Sequence, residues 1–288
     1  VRPLGFALVL ALGCSERAQP LDTVPAPTTR VATTGTEPAP ADAIPEPAPV
    51  ADDDGPHLRL LGTAQDGGLP HAACTCPRCD AARHDAARAR LVASVAIVDP
   101  GAGQAFMVDA TPDIHEQLHA LHDVGDRPEG RADRAPVAGI LLTHAHIGHY
   151  LGLALLGFEA VHTRELPVWA SPRMSEYLRQ NGPWEQMVRI ENIDLRPVGP
   201  EQRIELTPAL HATPLLVPHR DEYTDTYGFL IEGPHANVLY VPDTSPWRTW
   251  STPLPEFLEA HEVDVALLDA TFYSGDELPG RDLDTLAH

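Results

Sequence analysis

Ile140-Leu141-Leu142-Thr143-His144-Ala145-His146-Ile147-Gly148-His149 is the stretch on which the reading of this chain turns. An apolar run of strand type ends at Leu142, and three imidazoles follow it closely. Side chains alternate along a strand, so His144 and His146 emerge the same way and can share one ion. Neutral imidazole is a good Zn²⁺ ligand. His149, past the turn and at the start of a helical pattern, points to a neighbouring position. Histidines clustered by chance in a surface loop would not need an apolar strand leading straight into them.

Outward from this stretch, strand-like runs recur at His57–Leu61, Leu91–Val98, Ala105–Val108, Val137–Leu142, Pro167–Ala170, Arg203–Leu206, Leu210–Val217, Tyr227–Ile231, Val238–Val241 and Val263–Leu268. Helical patterns sit between some of them, at residues 80–90, Asp113–Val124, Ile147–Phe158, Pro172–Asn181 and Pro255–His261. Strands in runs with interspersed helices predict an α/β layered sandwich, not an all-β barrel. The net charge of −21, from 20 Lys+Arg against 41 Asp+Glu, argues against a general nucleic-acid binder, which needs clustered cations. It leaves room for a hydrolase that grips one small phosphate through metal. Collagen, coiled-coil, disulfide mini-protein and multi-span membrane classes are excluded by composition.

Residues 1–14 read as a secretory signal: Arg2, a short apolar run to Gly13, then Cys14. Ala11-Leu12-Gly13-Cys14 resembles a bacterial lipobox, which implies lipidation of Cys14 and a domain tethered to a membrane, facing the periplasm or cell exterior. A plain signal peptide or a mis-called start are the alternatives. Residues 15–56, dominated by Ala, Pro, Thr and acids, cannot bury a core and read as a disordered tether. Residues 57–288 form the expected folded domain.

Thr-His-x-His-x-x-His after a strand resembles the signature of the metallo-β-lactamase superfamily, whose full pattern is His-x-His-x-Asp-His. The resemblance implies a four-layered αββα sandwich holding one or two metals. It also implies a further histidine and then a bridging aspartate at later strand ends. Leu215-Leu216-Val217-Pro218-His219 and Val238-Leu239-Tyr240-Val241-Pro242-Asp243 supply both in order. Site one is then His144, His146 and His219, with Asp243 shared. Gly148 stands where the pattern has Asp, so site two keeps only His149 and Asp243 and is expected to be weak or empty. Asp221, Glu222 and Asp225 are the carboxylates near His219 that could fill it. A last site-two histidine would follow a further strand. The chain stops at His288, which suggests a fragment or an early gene end, with His288 a candidate active-site residue beside Asp243 and His149.

Cys74-Thr75-Cys76-Pro77-Arg78-Cys79 suits a tetrahedral thiolate site for structural zinc, with His71 or a distant group as fourth ligand. Disulfide pairing is the alternative in an oxidising compartment. This knuckle resembles the branch holding the pyrroloquinoline-quinone biosynthesis protein B and the phosphonate-pathway cyclic phosphodiesterase. Leu61–Gly68 and Asp109–Asp113 resemble the former especially. Asp66 reads either as a contact to the metal's water or as a turn residue. Asp109 and Asp113 read as caps of the helix that follows, with a role in catalysis as the alternative. His115, His119 and His122 read as a solvated helix face. Trp184, Trp247 and Trp250 line a cleft or belong to the core. Asp269 and Thr271 support the metal loops by hydrogen bonds.

The resulting expectation is an exported zinc hydrolase acting on a small phosphodiester, another ester or a lactone. An Fe²⁺-dependent oxidative enzyme of cofactor synthesis and a catalytically silent metal-containing lipoprotein are the alternatives.

Overall fold

Strand direction and sheet order place the site before any side chain is considered. The computed structural model describes residues 55–130 and 133–271. The expected signal with Cys14 and residues 15–54 of the expected tether lie outside the described residues, as does His288.

One sheet holds β1 (His57–Gly62), β2 (Ser94–Asp99), β3 (Gln104–Val108), β4 (Gly139–Leu141), β5 (Leu166–Ala170) and β6 (Ile193–Pro197) in that spatial order. The other runs β11 (Val265–Leu268), β10 (Asn237–Val241), β9 (Tyr227–Glu232), β8 (Leu210–Leu216), β7 (Ile204–Thr207). In the first sheet β1, β2 and β3 alternate in direction, and β3 to β6 run parallel. β1, β3 and β4 therefore end on one edge. In the second, β8 and β10 are both antiparallel to β9, so they too end together.

The helices are α1 (Pro77–His84), α2 (Ile114–His119), α3 (Ile147–Tyr150), α4 (Pro172–Gln180), α5 (Trp184–Arg189) and α6 (Leu254–Ala260). Period-two alternation explains the layering. Val95 and Ile97 of β2, with Phe106 and Val108 of β3, meet Tyr227, Phe229 and Ile231 of β9 between the sheets. Their alternate neighbours Ala96, Val98 and Met107 join Ile114, Met174 and Trp184 of the helices on the outer side. Beyond the second sheet, Leu239 and Val241 pack against Leu254, Phe257 and Leu258 of α6. This is the expected αββα sandwich. Strands buried on both faces read as continuous apolar runs, and every residue of Ser94–Asp99 is buried.

Some expectations required correction. The helix expected over Ile147–Phe158 is α-helical only to Tyr150 and tightens to a 3-10 turn over Leu151–Leu156. There Gly152 lies against the Thr111 and Ala110 carbonyls, where a Cβ would collide. The strand β6 and helix α5 were not anticipated. Trp184 is core, packed on Tyr150 at 4.7 Å between ring centroids. Trp247 and Trp250 pack against the second sheet's outer layer, not in a cleft. His115, His119 and His122 are exposed, as a solvated face requires. No helix among the described residues is long and apolar enough to cross a membrane.

Candidate metal centre

The strands that share an edge deliver the site. Asp109 follows β3, Thr143 to His149 follow β4, His219 follows β8 and Asp243 follows β10. Backbone bonds fasten the strand ends there: the Tyr227 N–H donates to the Thr143 carbonyl at 3.0 Å from one sheet to the other, and the Ser245 N–H donates to the Pro218 carbonyl at 2.6 Å, joining the segments after β10 and β8. Loops from distant parts of the chain are thus held in fixed register.

His144 Nε2 and His146 Nδ1 face one another at 2.8 Å, and His219 Nε2 lies 3.2 Å from His146 Nδ1. The outward nitrogens explain what these inward atoms carry. His144 Nδ1–H donates to Thr143 Oγ1 at 2.9 Å, whose own hydroxyl donates to Asp109 Oδ2 at 2.9 Å. His146 Nε2–H donates to Glu222 Oε2 at 3.2 Å. With each proton on the outer nitrogen, the inner nitrogens present lone pairs to each other, an arrangement that calls for a cation between them. Asp243 Oδ2 completes the group at 3.4 Å from His144 Nε2 and 3.6 Å from His219 Nε2. Ligands at about 2.0–2.1 Å around a tetrahedral ion stand about 3.3–3.4 Å apart. Most of these separations fit, and the donor set of three imidazoles and a carboxylate fits zinc.

The same Asp243 Oδ2 lies 3.3 Å from His149 Nε2, and Asp66 Oδ1 lies 3.5 Å from that nitrogen. Asp66, His149 and Asp243 form a second group with mutually close ligand atoms. His149 Nδ1–H donates to Asp109 Oδ2 at 2.6 Å, and the Thr143 N–H donates to Asp109 Oδ1 at 2.8 Å. Asp109 is therefore a buried brace for His149 and Thr143. The expectation that it caps a helix is corrected: α2 begins after Asp113, whose carboxylate takes the Val92 N–H instead of a helix N–H. The positive φ of Asp109, 69°, marks the sharp turn that sends its side chain inward.

Electrostatics match this geometry. Burial, reinforced by the charge of His149, pushes His144 down to about 3, and burial pushes His219 down to about 4. Both rings are neutral at pH 7, as ligands must be. His149 differs: burial resists charging it, but Asp109 and Asp243 together raise it well above the usual histidine range, so without an ion it carries both ring protons and a cation beside it has to displace the one on Nε2. Burial also works against Asp243 ionisation, yet His149 and His144 hold that carboxyl far below the ordinary carboxylate range.

The other carboxylates proposed near His219 are engaged elsewhere. Glu222 sits behind His146, Asp221 lies 3.7 Å from Arg173, and Asp225 bonds Ser171. Asp66 was read as a water contact or turn residue, and its place beside His149 went unseen. The signal that could have found it was Gly148, a missing side chain that some other carboxylate could replace. Asp269 bonds the Thr244 N–H at 3.3 Å and the Thr271 hydroxyl at 2.6 Å, bracing the Asp243 loop.

Cys74, Cys76 and Cys79 carry free thiols whose sulfurs form a third close group. The Cys79 N–H donates to Cys76 Sγ at 3.4 Å. That bond, with others from the neighbouring thiols, draws the Cys76 thiol down to about 7. His71 is not in this group among the described residues: its Nδ1 faces the Ala72 carbonyl and its ring lies against Gly67.

The chain belongs to the beta-lactamase superfamily, whose domain model matches residues 104–285. Within that superfamily it is similar to coenzyme PQQ synthesis protein B. The Cupriavidus taiwanensis protein is 36% identical over 123 residues, 42% of this chain and 38% of that one. This aligned part spans well under half of that relative. The Methylobacterium radiotolerans protein is 28% identical over 237 residues, 76% of this chain and 74% of that one. The crystal structure of Zn²⁺-bound PqqB from Methylobacterium extorquens superposes with a TM-score of 0.61 at 25% identity, covering 74% of this chain and 72% of that one. A diphosphatase of the PhnP family shares the fold, with a TM-score of 0.51 at 21% identity, over 74% of this chain and 85% of that one.

Proposed function

We propose that this chain is a metal-dependent hydrolase that cleaves a small phosphodiester or another ester. His144, His146, His219 and Asp243 would hold the metal, and the observation that carries the reading is the convergence of their inward lone pairs. A divalent ion bound by these residues would supply Lewis acidity for polarising a substrate oxygen and lowering the pKa of a water. Asp243, kept ionised by His149 and His144, would be able to accept a hydrogen bond from a water beside the site. Thr143 with Asp109 fixes the tautomer of His144, and Glu222 fixes that of His146, so these two donor atoms need no rearrangement during turnover. A cleft of about 250 Å³ opens beside His146 and Asp66, lined also by Tyr150, Tyr177, Tyr223 and Arg220. Arg220 and the phenol rim suit a small anionic substrate, whereas the charge of −21 disfavours long nucleic acids.

The name of the relatives supports a second reading, an oxidative step in quinone-cofactor synthesis with Fe²⁺ in place of zinc, since imidazole and carboxylate suit either ion. Metal analysis with turnover of a bis-aryl phosphodiester separates the two. Zinc and turnover abolished in His146→Ala support hydrolysis. Iron with oxygen consumption replaces it. Three thiols close enough for one tetrahedral ion support a structural zinc at Cys74, Cys76 and Cys79. Export with lipidation at Cys14 rests on the sequence of residues 1–14 and leads to a membrane-tethered enzyme. Labelled-lipid incorporation that survives Cys14→Ser would remove that anchor.

A further inference from the structure

The second close group, Asp66, His149 and Asp243, raises a question about Gly148, which lies next to His149. A Cβ built on Gly148 would stand 2.0 Å from Asp66 Oδ1 and 2.8 Å from both the Asp66 Cγ and its Cα. Approaches under about 3 Å between carbons are essentially forbidden, and the clash with the Asp66 backbone carbon cannot be relieved by turning its side chain. The Asp66 carboxylate therefore fills the volume that a side chain at 148 would take, and it can do so only because position 148 is glycine. The loop that brings it there is itself anchored: Gly68 N–H donates to the Gln65 carbonyl at 2.7 Å, and Gln65 Nε2 donates to Thr271 Oγ1 at 3.1 Å. From that loop Asp66 Oδ1 reaches to 3.5 Å from His149 Nε2, whose other nitrogen is pinned by Asp109.

We infer that Asp66 is a ligand of a second divalent-cation site, made with His149 and the shared Asp243, and that Gly148 and Asp66 are an obligatory pair. The carboxylate missing from the histidine motif is supplied in space by the turn after β1. This rests on the reading of Asp243 as a ligand of the first site, but it adds a different ion. Two carboxylates and one imidazole make a harder donor set than the three imidazoles of site one. The second site should therefore tolerate Mn²⁺ or Fe²⁺ better than its neighbour does.

The test reads bound metal and not turnover, so it stays separate from the hydrolase assignment. The full chain is saturated with Zn²⁺, dialysed against a weak chelator, and its metal counted by mass spectrometry alongside the unfolding midpoint. Asp66→Asn, which keeps the shape, should hold about one ion fewer per chain, or bind it roughly 10- to 100-fold more weakly. Gly148→Asp alone should lose the same ion and unfold at lower temperature, because the two carboxylates compete for one volume. The exchange Asp66→Gly with Gly148→Asp should recover both the ion and the midpoint. Asp66→Asn with the wild-type metal count and affinity would overturn the inference, as would Gly148→Asp with wild-type stability and metal. A double exchange no better than Gly148→Asp alone would overturn the pairing.

Discussion

Replacing Asp109 by Asn tests the claim that this buried carboxylate sets the donor atom of His149. Asp109 accepts three hydrogen bonds from its neighbours: the Thr143 N–H on Oδ1, and the Thr143 hydroxyl and His149 Nδ1–H on Oδ2. An amide has one acceptor oxygen, so either orientation places its NH₂ against a donor. Against the Thr143 backbone N–H the clash has no escape. Against His149 it does, because imidazole can move its proton from Nδ1 to Nε2. The ring then presents N–H toward Asp66 and Asp243 in place of a lone pair. The overall shape is conserved, so the expected loss falls on metal affinity: about 10- to 100-fold, or about 1.4–2.7 kcal/mol, for the ion nearest His149. Competition between protein and a chelator of known affinity measures it, with the unfolding midpoint of the metal-free forms recorded in parallel. Asp109→Asn with affinity within about threefold of wild type would refute the tautomer argument. A lowered midpoint with unchanged affinity would show that the amide turned toward Thr143.

The remaining predictions concern other parts of the same frame. Glu222→Gln leaves a carbonyl oxygen for the His146 Nε2–H, so the affinity of the first ion should fall less than about threefold, whereas Glu222→Ala should weaken it by about tenfold in the same chelator competition. Phe229→Ala, at a fully buried position between the sheets, should lower stability by about 3–5 kcal/mol in denaturant titration. In the metal-free protein the unfolded chain binds protons below the ordinary histidine pKa that folded His144 and His219 refuse. Stability should therefore fall with pH between about 6.5 and 5, by up to about 1.4 kcal/mol per pH unit for each ring. Equal denaturation midpoints at about pH 7 and about pH 5.5 would contradict the burial of these rings. Cys76→Ser should release the ion held by the cysteine cluster and leave that of the histidine cluster, as read by metal counts on both proteins.

What the sequence made legible follows from where its signals are local. His144, His146, His219 and Asp243 each sit just past an apolar strand, and alternation along β2 and β3 gives both buried faces, so the layers and the convergence of these four side chains could be read directly. The strand Ile193–Pro197 escaped because it is an edge strand with Asp194, Arg196 and Pro197 exposed, and a proline there resembles a loop. The helix after Ile147 was read too long because its apolar residues keep helical spacing, whereas the close approach of Gly152 to the Ala110 carbonyl tightens the chain.

Asp109 was misread, and the place of the turn residue Asp66 beside His149 missed, for a different reason, and it explains why motif departures are hard to interpret. A metal site constrains the positions of donor atoms in space, while a motif records only the shortest stretch of chain that supplies them. When Gly148 replaces a donor, the motif registers a loss. The site registers one only if no other loop can reach the same volume. Here β1 and β4 end on the same sheet edge, and the turn after β1 can drop a carboxylate beside His149 once the Cβ at 148 is gone. Asp109 shows the converse: beside a helix start it has the sequence look of a cap, but the backbone turn after β3 aims it under the site. Both residues owe their roles to strand order in the first sheet, which emerges only from the pairing of whole strands. A glycine inside a ligand motif is therefore better read as a prompt to search the neighbouring strand ends for a carboxylate than as evidence that a site is lost.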